Sequence, residues 1–292
     1  MSINEMKLYN GFGVPLVGYG TFPHQELLVE KIPLAINAGY RMFDTSDNYD
    51  NEVFVGKGLA NVDKSNVVVI SKFSLPYRTH ELEICFEESR KKLGGIINIY
   101  LLHWPYPWLW KEQWRRMEKL YLEGKCDAIG VCNFDIGYLK ELLSFCKVKP
   151  AINQFERHPM FQQKKLVDFC HANDIAVMSY SPLARMNKSL HDDNNILCII
   201  AKKYKKTVNQ VILRWNVDTG SIPIPASSSY QHIKENTEIF DFGLNDDEVE
   251  MINHMEAGMR IRYNPRTRHT FREKLSFLKY NFNHRFGVLS YL

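Results

Sequence analysis

No two cysteines in this chain form a CxxC pair. The six present, at 85, 126, 132, 146, 170 and 198, have no metal-ligand spacing. Most lie in apolar runs, the pattern of buried thiols in a reducing compartment rather than of a disulfide framework. No window of about 18 consecutive apolar residues occurs, so no segment reads as a membrane span. The opening MSINEMKLYN is unlike a secretory signal. A cytoplasmic location is the resulting expectation. Low-complexity linkers and evident repeats are missing too. No GxGxxG follows an early strand, which argues against a dinucleotide-binding doubly wound sheet. Excess charge is small: 37 Lys and Arg against 33 Asp and Glu give +4. That balance alone implies no nucleic-acid partner, and neither nucleic acid nor membrane is expected as one.

What is present is ordinary globular material, 45% apolar and 24% charged over 292 residues. A chain this long buries roughly 75% of its unfolded surface and needs no covalent staples. Short β-branched runs alternate with helical patterns. The strand candidates are 15–20, 40–44, 67–71, 98–103, 128–132, 151–155, 175–181 and 221–225. Helix candidates lie near 24–38, 51–60, 79–93, 110–124, 135–145, 162–173, 191–204 with 207–217, and 231–240. Eight strand–helix alternations predict an α/β fold, a (β/α)₈ TIM barrel. MKLYNGFGVP predicts an N-terminal β-hairpin over the barrel floor. The expected organisation is one domain over 1–292, with a barrel core at about 15–256 and a helical, basic C-terminal tail at 257–292.

In such a barrel, chemistry sits where strands end. Asp44 ends the second strand, and Tyr49 follows in the loop. Asn51 can cap the next helix, which carries Glu52 in its first turn. Lys72, His103, Asn133, Gln154 and Tyr180 fall at or just after the ends of strands three to seven. A lysine pointing into the mouth is expensive without a carboxylate partner, and Asp44 is placed to be one. A tyrosine beside that ammonium is expected to have a lowered pKa and to act as a general acid toward a carbonyl oxygen. His103 can orient the carbonyl or share the proton. Taken singly, each residue also fits a cap, a solvated lysine, a core histidine or a packed ring. The joint pattern at three successive strand ends is what points to chemistry.

The motifs GYRMFDTSDNYDNE (39–52), ISKF (70–73), YLLHWP (100–105), GKCDAIGVCNF (124–134), NQFERHP (153–159), SYSPL (179–183) and the segment 221–236 occur in an order that resembles the aldo-keto reductase family. The resemblance implies NAD(P)H-dependent reduction of an aldehyde or ketone. Its tetrad would be Asp44, Tyr49, Lys72 and His103, with Tyr49 giving the proton while nicotinamide gives hydride. It implies cofactor contacts from Thr21, Asp44, Asn133, Gln154, Tyr180, Ser181, Leu183, Ser227, Ser228, His232, Glu235 and Asn236. Substrate contacts would come from Phe22, Tyr49, His103 and Trp104, with Tyr106 and Trp108 as further aromatic candidates. Three departures stand out: Cys132 for a serine, Asp50 for a glycine and Met42 for a histidine. A cofactor-binding barrel with a regulatory or scaffold role is the alternative function. A Schiff-base aldolase or isomerase using Lys72 is a third.

Two segments bear on the ligands. In IPIPASSSYQHIKEN (222–236), the resemblance places Ala226 where the family commonly has a lysine for the 2′-phosphate and His232 where an arginine flanks the adenine. NADPH is the expected cofactor, with NADH use as well. The tail from Arg260 to Leu292 holds eight Lys or Arg against one acid, Glu273. Phe271, Leu275, Leu278 and Phe282 share one helical face. A docked helix with a solvated basic face explains this, and so does a lid whose arginines attract an anionic carbonyl substrate. The partner is expected to be a small molecule, and the chain a monomer or homodimer.

Overall fold

A computed structural model of the chain describes residues 5–266. The predicted tail helix, with Phe271 to Phe282, lies outside the described residues. Strands β1 (Glu5–Lys7) and β2 (Gly13–Pro15) form the expected antiparallel hairpin, pairing Glu5 with Pro15 and Lys7 with Gly13. Leu8 and Val14 leave it to join the apolar cluster inside the barrel.

Eight parallel strands follow: β3 (Tyr19–Gly20), β4 (Met42–Asp44), β5 (Val68–Phe73), β6 (Ile99–Leu102), β7 (Ala128–Cys132), β8 (Ile152–Glu156), β9 (Ala176–Tyr180) and β10 (Ser221–Ile224). They pair in sequence order. The seam between first and last is joined by Gly18 N–H to Pro223 O (3.1 Å) and Gly20 N–H to Pro225 O (2.9 Å). The strands approach closely there: a Cβ on Gly20 would lie 3.2 Å from the Ile224 backbone oxygen. Helices α1 (Leu28–Asn37), α2 (Glu52–Gly58), α3 (Leu82–Lys92), α4 (Trp110–Leu122), α5 (Ile136–Leu143), α6 (Lys164–Ala172), α7 (Ile196–Tyr204), α8 (Val208–Asp218), α9 (Tyr230–Glu235) and α10 (Asp246–Asn253) complete the order.

The differences from expectation are local. The run 15–20 is divided: Pro15 ends the hairpin, and only Tyr19–Gly20 enters the barrel. Helix α10 was not anticipated. Its start carries a capping box in which Asn245 accepts the Glu248 N–H and Glu248 accepts the Asn245 N–H. Side chains alternate between two cores. Phe43, Val69, Tyr100, Leu102, Val131 and Val177 pack outward against the helices. Met42, Ile70, Leu101, Ile152 and Met178 fill the interior.

Candidate active site

Counting two residues on from each of those interior positions stays on the inward face. The step from Met42 reaches Asp44, from Ile70 Lys72, from Leu101 His103, from Ile152 Gln154 and from Met178 Tyr180. Apolar filling therefore gives way to a polar layer at the strand ends. The alternation alone produces it.

Lys72 is 0% exposed. Its Nζ donates to Asp44 Oδ2 at 2.7 Å and to Thr45 O at 2.8 Å, and lies 3.4 Å from Tyr49 Oη. Burial disfavours the ammonium, but the Asp44 carboxylate and its hydrogen bond, together with Tyr49 and Cys132, outweigh it and hold the lysine pKa above its ordinary value. Asp44 Oδ1 accepts from Gln154 Nε2 at 2.8 Å, so both carboxylate oxygens are engaged. This is the satisfied geometry that a buried ion pair requires.

The expected lowering of the Tyr49 pKa does not hold as a net effect. Burial pushes the phenol up, Lys72 pulls it down, and burial wins. The Asp44 carboxylate, 2.7 Å from the ammonium, adds a smaller push in the same direction as burial. Asn51 is a second correction. It occupies the N-cap position of α2 but makes no cap hydrogen bond. Its amide instead donates to Thr21 Oγ1 at 3.1 Å and His24 O at 2.9 Å, and its Oδ1 accepts from Thr45 Oγ1 at 2.6 Å. Asn51 thus ties the loop after β3 to the loop after β4. Asp50 takes φ 52°, a left-handed conformation that glycine adopts freely and that aspartate tolerates among L-residues.

His103 packs edge-on to Tyr49, with ring centroids 5.8 Å apart, and stacks on Trp104 at 5.7 Å. Asn133 bridges two neighbours: its Nδ2 donates to His103 O at 3.1 Å and its Oδ1 accepts from the Tyr180 hydroxyl at 2.8 Å. Cys132 is fully buried, its Sγ 4.0 Å from Gln154 Oε1.

A cavity of about 460 Å³ opens above this layer. Asp44, Tyr49, His103, Thr21, Phe22, Trp104, Asn133, Tyr180, Ser181 and Leu183 all line it. Lys72 and Gln154 lie buried outside the lining. Phe22 sits 5.0 Å from the Tyr49 ring. Ala226 is on the rim, but Ser227, Ser228, His232, Glu235 and Asn236 are not in the lining. The Ser227 hydroxyl accepts the Ser229 N–H, Glu235 accepts from Gln231, and Asn236 is 2% exposed. Tyr106 is buried beside Trp104 and Leu109, and neither it nor Trp108 lines the cavity.

Residues not singled out as lining also reach the mouth: Asn48, Arg185, Met186 and Tyr263, together with Arg262, counted only among the tail cations. Arg262 is there because Glu156, two residues beyond Gln154 on β8, holds the chain. Glu156 accepts the N–H of Ile261 at 2.6 Å and of Arg262 at 2.9 Å, and pairs with His158 at 3.2 Å. Burial works against the Glu156 carboxylate, but these partners hold its pKa below its ordinary value. Among the described residues, Arg185 and Arg262 have no carboxylate within ion-pair distance, and the Arg262 guanidinium lies 5.5 Å over Phe22.

The profile described as "Aldo/keto reductase family" matches residues 11–257. The chain is 38% identical to the glyoxal reductase of Bacillus subtilis over 268 residues, covering 90% of this chain and 96% of that protein. It is 35% identical to the methylglyoxal reductase of Escherichia coli O157:H7, covering 89% and 96%. Among solved structures, a Bombyx mori aldo-keto reductase in complex with NADP superposes with a TM-score of 0.83 at 32% identity, covering 90% of this chain and 96% of that one.

Proposed function

The chain belongs to the aldo/keto reductase family and is an NAD(P)H-dependent oxidoreductase acting on carbonyl groups, and on that premise we propose that Tyr49 supplies the proton to the oxygen of a small aldehyde or ketone. One observation carries the assignment. Tyr49 is the phenol set over the buried Lys72–Asp44 pair, 3.4 Å from the ammonium, in the wall of a cavity.

The residues present suit a nicotinamide. Gln154 Oε1, a buried acceptor, has only the weak Cys132 thiol at 4.0 Å among the described residues. The Asn133 amide keeps a second N–H, and the Tyr180 ring stands in the lining. Asn133 and Gln154 would hold the carboxamide and Tyr180 would stack on the ring. Thr21, Ser181 and Leu183 line the same wall. When bound, the cofactor supplies hydride to the carbonyl carbon.

The chain's own residues do the rest. Burial keeps Tyr49 protonated at neutral pH, so the acid is loaded before substrate arrives. As charge develops on the carbonyl oxygen, the phenol hydrogen moves to it. The Lys72 ammonium then stabilises the phenolate left behind. Asp44 keeps Lys72 charged and in place. His103 adds a ring nitrogen to orient the oxygen, and Phe22 and Trp104 keep water from the reacting centre. Positioned acid catalysis of this kind contributes about 10²–10⁴-fold.

Two finer readings follow. Ala226 and His232 replace cations at the adenosine end, and the nearby Lys234 pairs with Glu238 at 3.6 Å. NADPH is therefore favoured over NADH by less than about 100-fold, roughly 2.7 kcal/mol. Arg185 and Arg262 make the mouth attractive to a carboxylated or phosphorylated carbonyl compound, alongside small dicarbonyls like those named for the relatives. The test is nicotinamide oxidation with NADPH and NADH against methylglyoxal, glyoxal and a set of neutral and anionic aldehydes. Turnover with several of them is expected. Cofactor binding without turnover of any would favour a regulatory or scaffold barrel instead.

A further inference from the structure

Behind His103 runs a chain of hydroxyls that the reaction as described does not use. His103 Nδ1 lies 2.5 Å from Ser74 Oγ and 3.1 Å from Ser46 Oγ, and the two hydroxyl oxygens are 2.9 Å apart. Ser46 Oγ lies 3.3 Å from Asp47 Oδ1. The other carboxyl oxygen, Oδ2, accepts the Ser74 backbone N–H at 3.0 Å. Three neighbouring strand ends thus contribute a continuous path from a carboxyl group to an imidazole. Ser46 and Asp47 follow β4, Ser74 follows β5 and His103 follows β6.

We propose that Asp47 is a positioning residue for His103, its protonation state deciding through Ser46 and Ser74 which ring nitrogen of the neutral imidazole carries the hydrogen. Each hydroxyl has one hydrogen to give. When Asp47 is ionised it takes the Ser46 hydrogen. Ser46 Oγ then accepts from Ser74, and Ser74 Oγ accepts from Nδ1–H, leaving a lone pair on Nε2. When Asp47 is protonated the direction reverses. Asp47 donates to Ser46, Ser46 to Ser74 and Ser74 to Nδ1, so the ring hydrogen sits on Nε2. Passing from the first state to the second takes up one proton. It arrives at Nε2, the Nδ1 hydrogen passes to Ser74, and Asp47 receives the last in line.

Only the second state lets neutral His103 donate to a carbonyl oxygen. Burial pushes the Asp47 pKa up to about 6, against hydrogen bonds from Ser74 and Ser46, so both states are reached near neutral pH. The titratable groups facing Asp47 are Glu52 on α2, Tyr77 ahead of α3, Cys85 on α3, Tyr100 on β6 and, through the serines, His103. The consequence for turnover rests on the reductase reading. The tautomer itself belongs to the free chain.

The experiment is long-range ¹H–¹⁵N correlation of histidine-labelled protein without cofactor, between pH 5 and 8, with His103 assigned by its loss in His103→Gln. In the wild type, His103 is expected to change from the Nε2–H to the Nδ1–H tautomer with a midpoint near 6. Asp47→Asn and Ser74→Ala should each remove the change, and either suffices if the other does not fold. In parallel, the wild-type KM for a neutral aldehyde should rise about fivefold over the same range, roughly 1 kcal/mol at 1.36 per decade, with a flat profile in Asp47→Asn. A single tautomer throughout in the wild type, a ring that becomes charged rather than switching, or an unchanged midpoint in Asp47→Asn overturns the proposal. A switching tautomer in a chain that turns over no carbonyl would sink the reductase reading and leave the relay standing.

Discussion

At the floor of the mouth cavity, Lys72 is 0% exposed and has donor contacts to Asp44, Thr45 and Tyr49. At the rim, Ala226 is exposed, and Arg185 and Arg262 have no carboxylate partner among the described residues. The floor is a closed network in which every charge is answered by the protein itself. The rim leaves its charges unanswered. A preorganised floor suits a step whose charge distribution does not vary between substrates. An open rim suits the choice of what enters. The comparison teaches that chemistry and selection occupy different layers here.

Substitutions at the floor should therefore be severe and those at the rim graded. Replacing Tyr49 by Phe is expected to lower kcat by about 10²–10⁴-fold, read as steady-state nicotinamide oxidation. Asp44→Ala leaves Lys72 buried without its carboxylate. Unfolding in urea should report a loss of about 3–5 kcal/mol, and a midpoint unchanged from wild type would break the claim that the pair is internally compensated. At the rim, Ala226→Lys restores a charge-assisted contact and should raise the NADPH-over-NADH preference by about 10–100-fold. A ratio of dissociation constants that does not move would place the 2′-phosphate elsewhere. Smallest of all, Arg262→Ala should reduce kcat/KM for anionic aldehydes by about two- to fivefold and leave neutral ones alone. The difference should fade in high salt.

How far the sequence shows these layers depends on the reach of the contacts. Period-two alternation carries Asp44, Lys72, His103, Gln154 and Tyr180 inward, so they could be read one strand at a time. The hairpin and the eight-fold alternation were legible for the same reason: each is a local pattern. The capping box at Asn245 and Glu248 is local as well, carried by the spacing of those two residues. Other features were beyond reach. Asn51 looks like a helix cap from its neighbours, but its side chain bonds 27 to 30 residues away, to His24 and Thr21. Glu156 holds Arg262 across 106 residues. The Tyr49 pKa depends first on how deeply the fold buries the phenol, which residue types do not specify. Ser46 and Ser74, 28 residues apart, become a pair only once the strand ends are adjacent.

The division of labour between floor and rim is tested most directly in the double variant Tyr49→Phe with Ala226→Lys, measuring kcat together with the dissociation constants of NADPH and NADH. Tyr49→Phe is expected to lower kcat by about 10²–10⁴-fold and to leave the ratio of the two constants unchanged. Ala226→Lys should shift that ratio equally in both backgrounds, with coupling within about 0.5 kcal/mol. A Tyr49→Phe chain that still turns over at the wild-type rate, or a cofactor ratio that moves with Tyr49, would contradict it.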